Sequence, residues 1–290
     1  MVSKHSAASL PAAGNLPPPA ATLLSVAPMM ERTDRHFRYL LRVLAPDLRL
    51  YTEMLTAHAL VVGDAVRHLA YDESEHPIAL QLGGNDPRLL AQAARIGIDH
   101  GYDEINLNIG CPSERVASGA FGACLMDQPD VVAACVAEIR SVVDVPVTVK
   151  TRCGIDDRDS IEFVAGFLEE VAAAGCELFV LHARKAILGG LSPKENRSIP
   201  PLQYPMVYEL ADAFPQLRFV INGGVRSTGE VADHLQRTDG VMIGRQAYSN
   251  PYWMSELQVR FLNPATGRDW QPPARGDVVR AMADYAEIAL

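Results

Sequence analysis

A cysteine on a tight loop is the first chemistry this chain offers. Glu104 to Ile109 alternates apolar and polar side chains as a short strand does, and Gly110 and Pro112 end it. Cys111 therefore falls just past a strand's C-terminal end, where α/β folds collect their catalytic groups. A free cysteine is more often a small packed hydrophobe. The flanks Asn108, Gly110, Pro112, Ser113 and Glu114 favour the loop reading, because they are polar or turn-forming and build no apolar face. Cys135, inside the helical run Val131 to Ile139, and Cys124, beside Leu125 and Met126, are expected to pack; Cys153 and Cys176 are also weaker candidates.

Positioning such a loop requires a sheet, and eight short apolar runs supply one: Leu24–Ala27, Leu50–Met54, Ile78–Leu82, Glu104–Asn108, Val147–Lys150, Leu178–His182, Arg218–Asn222 and Gly240–Ile243. Helix-like segments lie between them, among them Arg35–Leu44, Pro87–Gly101, Pro129–Val142, Ser160–Gly175, Pro205–Phe214 and Thr228–Gln236. Several open on Pro, Ser or Thr, as helices do. Strand–helix alternation calls for a parallel sheet, and eight units over this length predict an α/β fold of the (β/α)8 TIM-barrel type. A dinucleotide-binding sheet would want GxGxxG after its first strand, whereas Pro28-Met29-Met30 follows here.

A barrel brings together whatever ends its strands. Pro28, Met29 and Met30 follow the first run, Glu53 ends the second and Gln81 the third; Asn108 with Cys111 follows the fourth. Lys150 ends the fifth, His182 with Arg184 the sixth, Asn222-Gly223-Gly224 the seventh and Gly244-Arg245 the eighth. Glycines after the last two strands, with a helix N-terminus, make the usual barrel phosphate site, and Arg245 adds a charged donor. Taken singly, Gly223-Gly224 could equally be a turn into a helix, Lys150 a solvated cation and His182 a structural histidine. Their convergence with an amide and a thiol is the pattern of a bound cofactor.

The long loop after the sixth run is basic at both ends, with Arg184, Lys185, Lys194 and Arg197. It suits phosphates on a polyanion and equally a solvated loop. The whole chain carries a net charge of -9, which argues against general nucleic-acid binding but leaves room for a local basic face. Five widely spaced cysteines form no disulfide framework, no Cys/His pattern has zinc spacing, and no stretch is apolar enough to span a bilayer. A reducing cytoplasm, no membrane, no metal and a monomer are expected. Residues 1–22, rich in Ala and Pro, read as a disordered tail and 23–262 as the barrel, with Tyr248 to Phe261 closing it. Residues 263–290 read as a linker and a helix N-capped by Asp277, the start of a truncated C-terminal helical element.

With these residues in view, the chain resembles the tRNA-dihydrouridine synthases, A-type subgroup, from about Leu23 to Pro251. The motifs are Ala27–Met30, Ala79–Gly84, Asn106–Ser113 with Gly119–Met126, Thr148–Arg152, His182–Ala186, Leu191–Arg197, Ile221–Gly224 and Val241–Arg245. The resemblance implies an FMN enzyme that uses NADPH to reduce uridines of the tRNA D loop, at positions 20 and 20a, to 5,6-dihydrouridine. It implies that Pro28, Met29, Met30, Gln81, Lys150, His182, Asn222, Gly223, Gly224, Gly244 and Arg245 hold FMN and that Cys111 is the catalytic acid. Asn108, Lys194 and Arg197 would contact tRNA, a partner that the family grips with a C-terminal helical domain. Where the family has Asp-Trp after the methionines, this chain has Glu31-Arg32. The basic loop separates this expectation from an FMN barrel acting on a small free pyrimidine, and Cys111 with Lys150 from a protein that only binds tRNA.

Overall fold

The computed structural model describes residues 23–112 and 121–289. The expected N-terminal tail, and Ser113, Gly119 and Ala120 of the cysteine motif, lie outside them. Nine strands run in parallel: β1 (Leu23–Val26), β2 (Leu50–Tyr51), β3 (Leu55–Thr56), β4 (Ile78–Gly83), β5 (Glu104–Asn108), β6 (Val147–Arg152), β7 (Leu178–His182), β8 (Arg218–Asn222) and β9 (Gly240–Ile243). The sheet order is β1-β9-β8-β7-β6-β5-β4-β2, with β3 also on β4. A parallel bridge between Ser25 and Arg49, with Val26 N donating to Arg49 O at 3.1 Å and Arg49 N to Leu24 O at 3.0 Å, joins the two ends of the ladder. β2 and β3 share one strand position, so the chain is a (β/α)8 barrel.

The helices start where local chemistry dictates. Asp34, Asp86 and Ser160 cap Arg35–Leu44, Pro87–Asp99 and Ile161–Ala173 by accepting a backbone N–H three residues on, and Pro87 is the first residue of its helix. Two layers of core follow from the strand alternation. One packs the helices on the outside of the sheet, with Leu80, Ile105, Leu107, Val149, Phe179 and Ile221 among its residues. The other, Ala27, Tyr51, Ala79, Leu178, Val180, Val220 and Met242, fills the lumen.

Several element ends differ from the sequence reading by one or two residues, and three differences are larger. The run Leu50–Met54 does not stay a strand: only Leu50–Tyr51 and Leu55–Thr56 pair with β4. The closing stretch is helical from Arg245 but broken into Arg245–Ser249, Trp253–Leu257 and a π-turn over Gln258–Leu262. The last helix begins at Arg275, because the Ala274 carbonyl already accepts from Asp277 N and Val278 N, so Asp277 lies in the first turn and is not the cap. This helix docks on the barrel helix Arg35–Leu44, where Tyr285 stacks on Tyr39 at 3.9 Å and meets His36 Nδ1 at 3.0 Å. Among the described residues no helix is long and apolar enough to cross a membrane.

Candidate active site

The thiol loop is tied from beneath and from the side. Asn108, last residue of β5, turns its Oδ1 onto Gly110 N at 3.1 Å and Cys111 N at 2.9 Å. Its Nδ2 donates to Gln81 Oε1 at 2.8 Å. From β6, Thr151 Oγ1 donates to Ile109 O at 3.1 Å and Arg152 Nε to Gly110 O at 2.8 Å. From beyond, Ala123 N donates to Cys111 O at 3.0 Å. These contacts leave Cys111 half-buried on a fixed loop, while Cys135, Cys153 and Cys176 are buried, as packing cysteines should be. Cys124 is half-buried, with its thiol 3.2 Å from the Phe121 carbonyl and its pKa raised by burial.

Lys150 lies beside this loop on β6, paired in register with Asn108. Its Nζ donates to Asn222 Oδ1, on β8, at 3.2 Å. Burial in the barrel wall, with the Arg152 charge adding to it and Cys111 opposing, brings its pKa down to about 7. His182 is pushed well below the ordinary histidine range by burial and then by Arg152, Lys150, Arg184 and Arg197, so it is a neutral imidazole that can donate or accept.

At the ends of β8 and β9 the backbone opens. Gly223 and Gly224 adopt φ of +113° and +76°, and a Cβ on Gly224 would fall 2.6 Å from Leu202 and 2.7 Å from the Tyr204 hydroxyl. Tyr204 OH donates to Gly223 O at 2.6 Å, which holds this pair of peptides in place. Above Gly244 nothing lies within 4 Å of where a Cβ would sit. Among the described residues, the Gly224 and Gly244 N–H groups have no acceptor. The helix after Gly224 does not contribute its N-terminus: Glu230, in a capping box with Ser227, takes the N–H groups of Arg226 and Ser227. The short helix opened by Arg245 has no side-chain cap.

Guanidinium groups crowd this corner. Arg184 and Arg197 each have a pKa lowered first by burial and then, among other causes, by the charge of Arg245. The buried Nε of Arg184 finds no protein acceptor. Uncompensated cations beside open backbone N–H groups fit a phosphate monoester, and the neutral His182, Lys150, Asn222 and Gln81 fit the polar edge of a flavin. The residues present are therefore compatible with FMN. Met29 packs beside the lumen core below Met30, which is exposed, and Pro28 joins them to the end of β1. The altered first loop is itself anchored, with Arg32 N on Glu53 Oε1 at 3.1 Å and the Arg32 guanidinium over Tyr248.

The basic loop after β7 is ordered by a residue that composition does not single out. Asn196, fully buried, accepts from Ile187 N at 2.7 Å and donates to Ile187 O and Leu191 O at 2.9 and 3.2 Å. That leaves Lys194 and Arg197 on the outside, exposed. Arg152 is the second such residue. Buried, with its pKa lowered by that burial to about 10, it spans from Gly110 O in the thiol loop to Lys185 O at 3.2 Å and Asn196 O at 3.0 Å in the basic loop. A positive residue two places beyond Lys150 was the available signal. Among the described residues no cluster of three His, Cys, Asp or Glu side chains could hold a metal.

Comparison with known proteins gives this mouth a lineage. A family model described as dihydrouridine synthase matches residues 25–288. A tRNA-dihydrouridine(20/20a) synthase of Synechocystis sp. is 55% identical over 267 residues, 92% of this chain and 79% of that protein. The protein of the same name from Escherichia coli (strain K12) is also 55% identical over 267 residues, 92% of this chain and 76% of its own length. Among solved structures, a 2-naphthoyl-CoA reductase complexed with 2-naphthoyl-CoA has a TM-score of 0.62 at 12% identity, covering 81% of this chain and 49% of that one, a likeness of fold alone. The family match begins within β1, takes in the thiol loop and the basic loop, and ends within the last helix, and on that extent the chain belongs to the dihydrouridine synthase family.

Proposed function

We propose that this protein reduces uridine to 5,6-dihydrouridine in the D loop of tRNA, at positions 20 and 20a, using FMN and NADPH. The observation that carries the reading is the hydrogen-bonded step from Gln81, the residue this reading assigns to the flavin, through Asn108 to the backbone of Cys111, which would put cofactor and thiol at one mouth. The relatives named above, 55% identical to this chain over 267 aligned residues, supply the substrate.

FMN held at this mouth would supply hydride chemistry, drawing on NADPH, for reduction of the uracil C5=C6 bond. The Cys111 thiol gives its proton to C5, so that charge does not build on the C4 carbonyl as C6 is attacked. Asn108, with Oδ1 and one N–H engaged by the protein, keeps its second N–H for the base. Lys150 would place a cation at the pyrimidine edge of the flavin and His182 a neutral donor near it. Pro28, Met29 and Met30 would line the β1 side, and Asn222, Gly223, Gly224, Gly244 and Arg245 would hold the ring and phosphate. Lys194 and Arg197 meet the tRNA backbone, which must present the uridine out of its stack. The test is to incubate protein, FMN and NADPH with unmodified tRNA and map dihydrouridine: modification at the two positions is expected, and none overturns the reading.

A further inference from the structure

A chain of buried polar side chains descends from the thiol loop to the floor of the barrel, and both of its ends force the same polarity. At the top, the N–H groups of Gly110 and Cys111 can only donate, so Asn108 must face them with its oxygen. Its Nδ2 then points at Gln81 Oε1, at 2.8 Å; Gln81 Nε2 donates to Asn106 Oδ1 at 2.7 Å; Asn106 Nδ2 donates to Thr148 Oγ1 at 2.8 Å. At the bottom, Thr148 Oγ1 donates to Glu104 Oε1 at 2.6 Å. That carboxylate faces Arg49 at 2.8 Å and takes the Tyr51 hydroxyl at 3.0 Å. It accepts from every side. Tyr51 stays a donor, its pKa pushed well above the usual value by burial and then by Glu104. For Arg49, burial works against the charge, and Glu104 together with Tyr51 and Asp103 more than offsets it, so its pKa is raised.

Glu104, Asn106, Gln81 and Thr148 are each at most 2% exposed, and the cavity below Glu104 has a volume of about 10 Å³, room for one water. Bulk solvent does not reach these four residues to satisfy a flipped amide; Asn108, at the mouth above them, is half-buried. We propose that Glu104 and Thr148 are positioning residues, which set the orientation of the Gln81 and Asn108 amides and through them the thiol loop and the flavin and base contacts. An amide turned over anywhere in the chain places donor on donor, so the orientation is clamped from above by the loop N–H groups and from below by the Thr148–Glu104 acceptor, and loss of the lower clamp loosens it. The proposal rests on the functional reading above for what those amides touch; the chain itself does not depend on it.

Thr148→Val removes the hydroxyl and keeps the shape, and Thr148→Ser keeps the hydroxyl. With the Val variant, FMN is expected to bind more weakly and iodoacetamide to alkylate Cys111, followed by peptide mass spectrometry, more quickly, each by about 2- to 10-fold, the range of one hydrogen bond. The Ser variant should restore both. Unchanged FMN affinity and alkylation in the Val variant overturn the proposal, and so does a change that Ser fails to restore, because that assigns the effect to packing. Native-state hydrogen exchange on the wild-type protein needs no variant: protected Gly110 and Cys111 amides are expected, and exchange at the rate of an unstructured loop overturns the chain. Wild-type protein that takes up no FMN would sink the functional reading, while alkylation and exchange still decide the chain.

Discussion

Lys150 Nζ reaches Asn222 Oδ1 at 3.2 Å, joining the ends of β6 and β8 across β7. A neutral amide oxygen does not compensate a desolvated ammonium, and the pKa of about 7 records the shortfall. The sign for stability follows. Below pH 7 folded and unfolded chains both carry the proton, and the desolvation cost is fully present. Between about 7 and the model-peptide value of 10.5 the unfolded chain holds a proton that the folded one lacks, so stability rises with pH. Above that both are neutral and the slope ends. Lys150→Met should therefore remove a rising component of stability over pH 7 to 10 in cofactor-free protein, read by urea denaturation against wild type. On the proposed reading the reduced flavin is the anion that Lys150 faces, so the same variant should hold FMN less tightly or be reduced by NADPH more slowly.

The glycines of the phosphate corner should separate folding from binding. Gly244→Ala meets nothing within 4 Å and needs no positive φ, so it should lower thermal stability less than Gly224→Ala does. The added methyl points into the space left for the phosphate, and FMN affinity should fall about tenfold or more, a cost of roughly 1.4 kcal/mol. Gly224→Ala, strained at φ +76° and pressed on Leu202 and Tyr204, should instead lower stability by about 1–3 kcal/mol along with FMN binding. Equal FMN affinity in Gly244→Ala and wild type would remove that corner from the cofactor site.

Most of the barrel was legible because its signals are local. Asp34 before an amphipathic run places Arg35–Leu44 to the residue, and Asp86-Pro87 does the same for the next long helix's start. The failures are tertiary. Leu50–Met54 has the composition of a strand, but pairing with β4 is interrupted at 52–54, where Thr52 Oγ1 turns to accept Gln81 N at 3.0 Å. The strand-end rule singles out Gln81, Asn108, Lys150, His182 and Asn222, which the barrel does bring to one mouth. It could not single out Glu104 or Thr148, which lie at the lower ends of β5 and β6, and it expected a helix N-terminus after Gly224 to be open to a phosphate where the Glu230 carboxylate sits.

Arg152 ties the thiol loop to the basic loop, and removing it should loosen both. Arg152→Met leaves the carbonyls of Gly110, Lys185 and Asn196 without their donor, and a stability loss of about 1–3 kcal/mol is expected. Arg152 also lowers the pKa of Lys150 and His182 by its charge, so flavin content after reconstitution is not an unchanged control, and the readout is KM for tRNA, which should rise. Wild-type KM would show that the basic loop is placed without it.

Cys111 and Cys124 lie on opposite sides of one backbone hydrogen bond, Ala123 N to Cys111 O, yet they should behave differently. The two half-reactions need different groups: reduction of the flavin by NADPH needs no acid from the protein, whereas uracil C5 needs a proton as hydride arrives at C6. Cys111→Ala should keep FMN and accept hydride from NADPH at a near-normal rate. Its reduced flavin should then fail to reoxidise when tRNA is added, slowed by about 100-fold or more if the thiol is the general acid. Cys124, with its thiol turned onto the Phe121 carbonyl, should on replacement by Ala cost about 1 kcal/mol of stability and little chemistry. Anaerobic stopped-flow absorbance of the flavin resolves the two steps, and normal reoxidation by tRNA in Cys111→Ala would take that residue out of the mechanism.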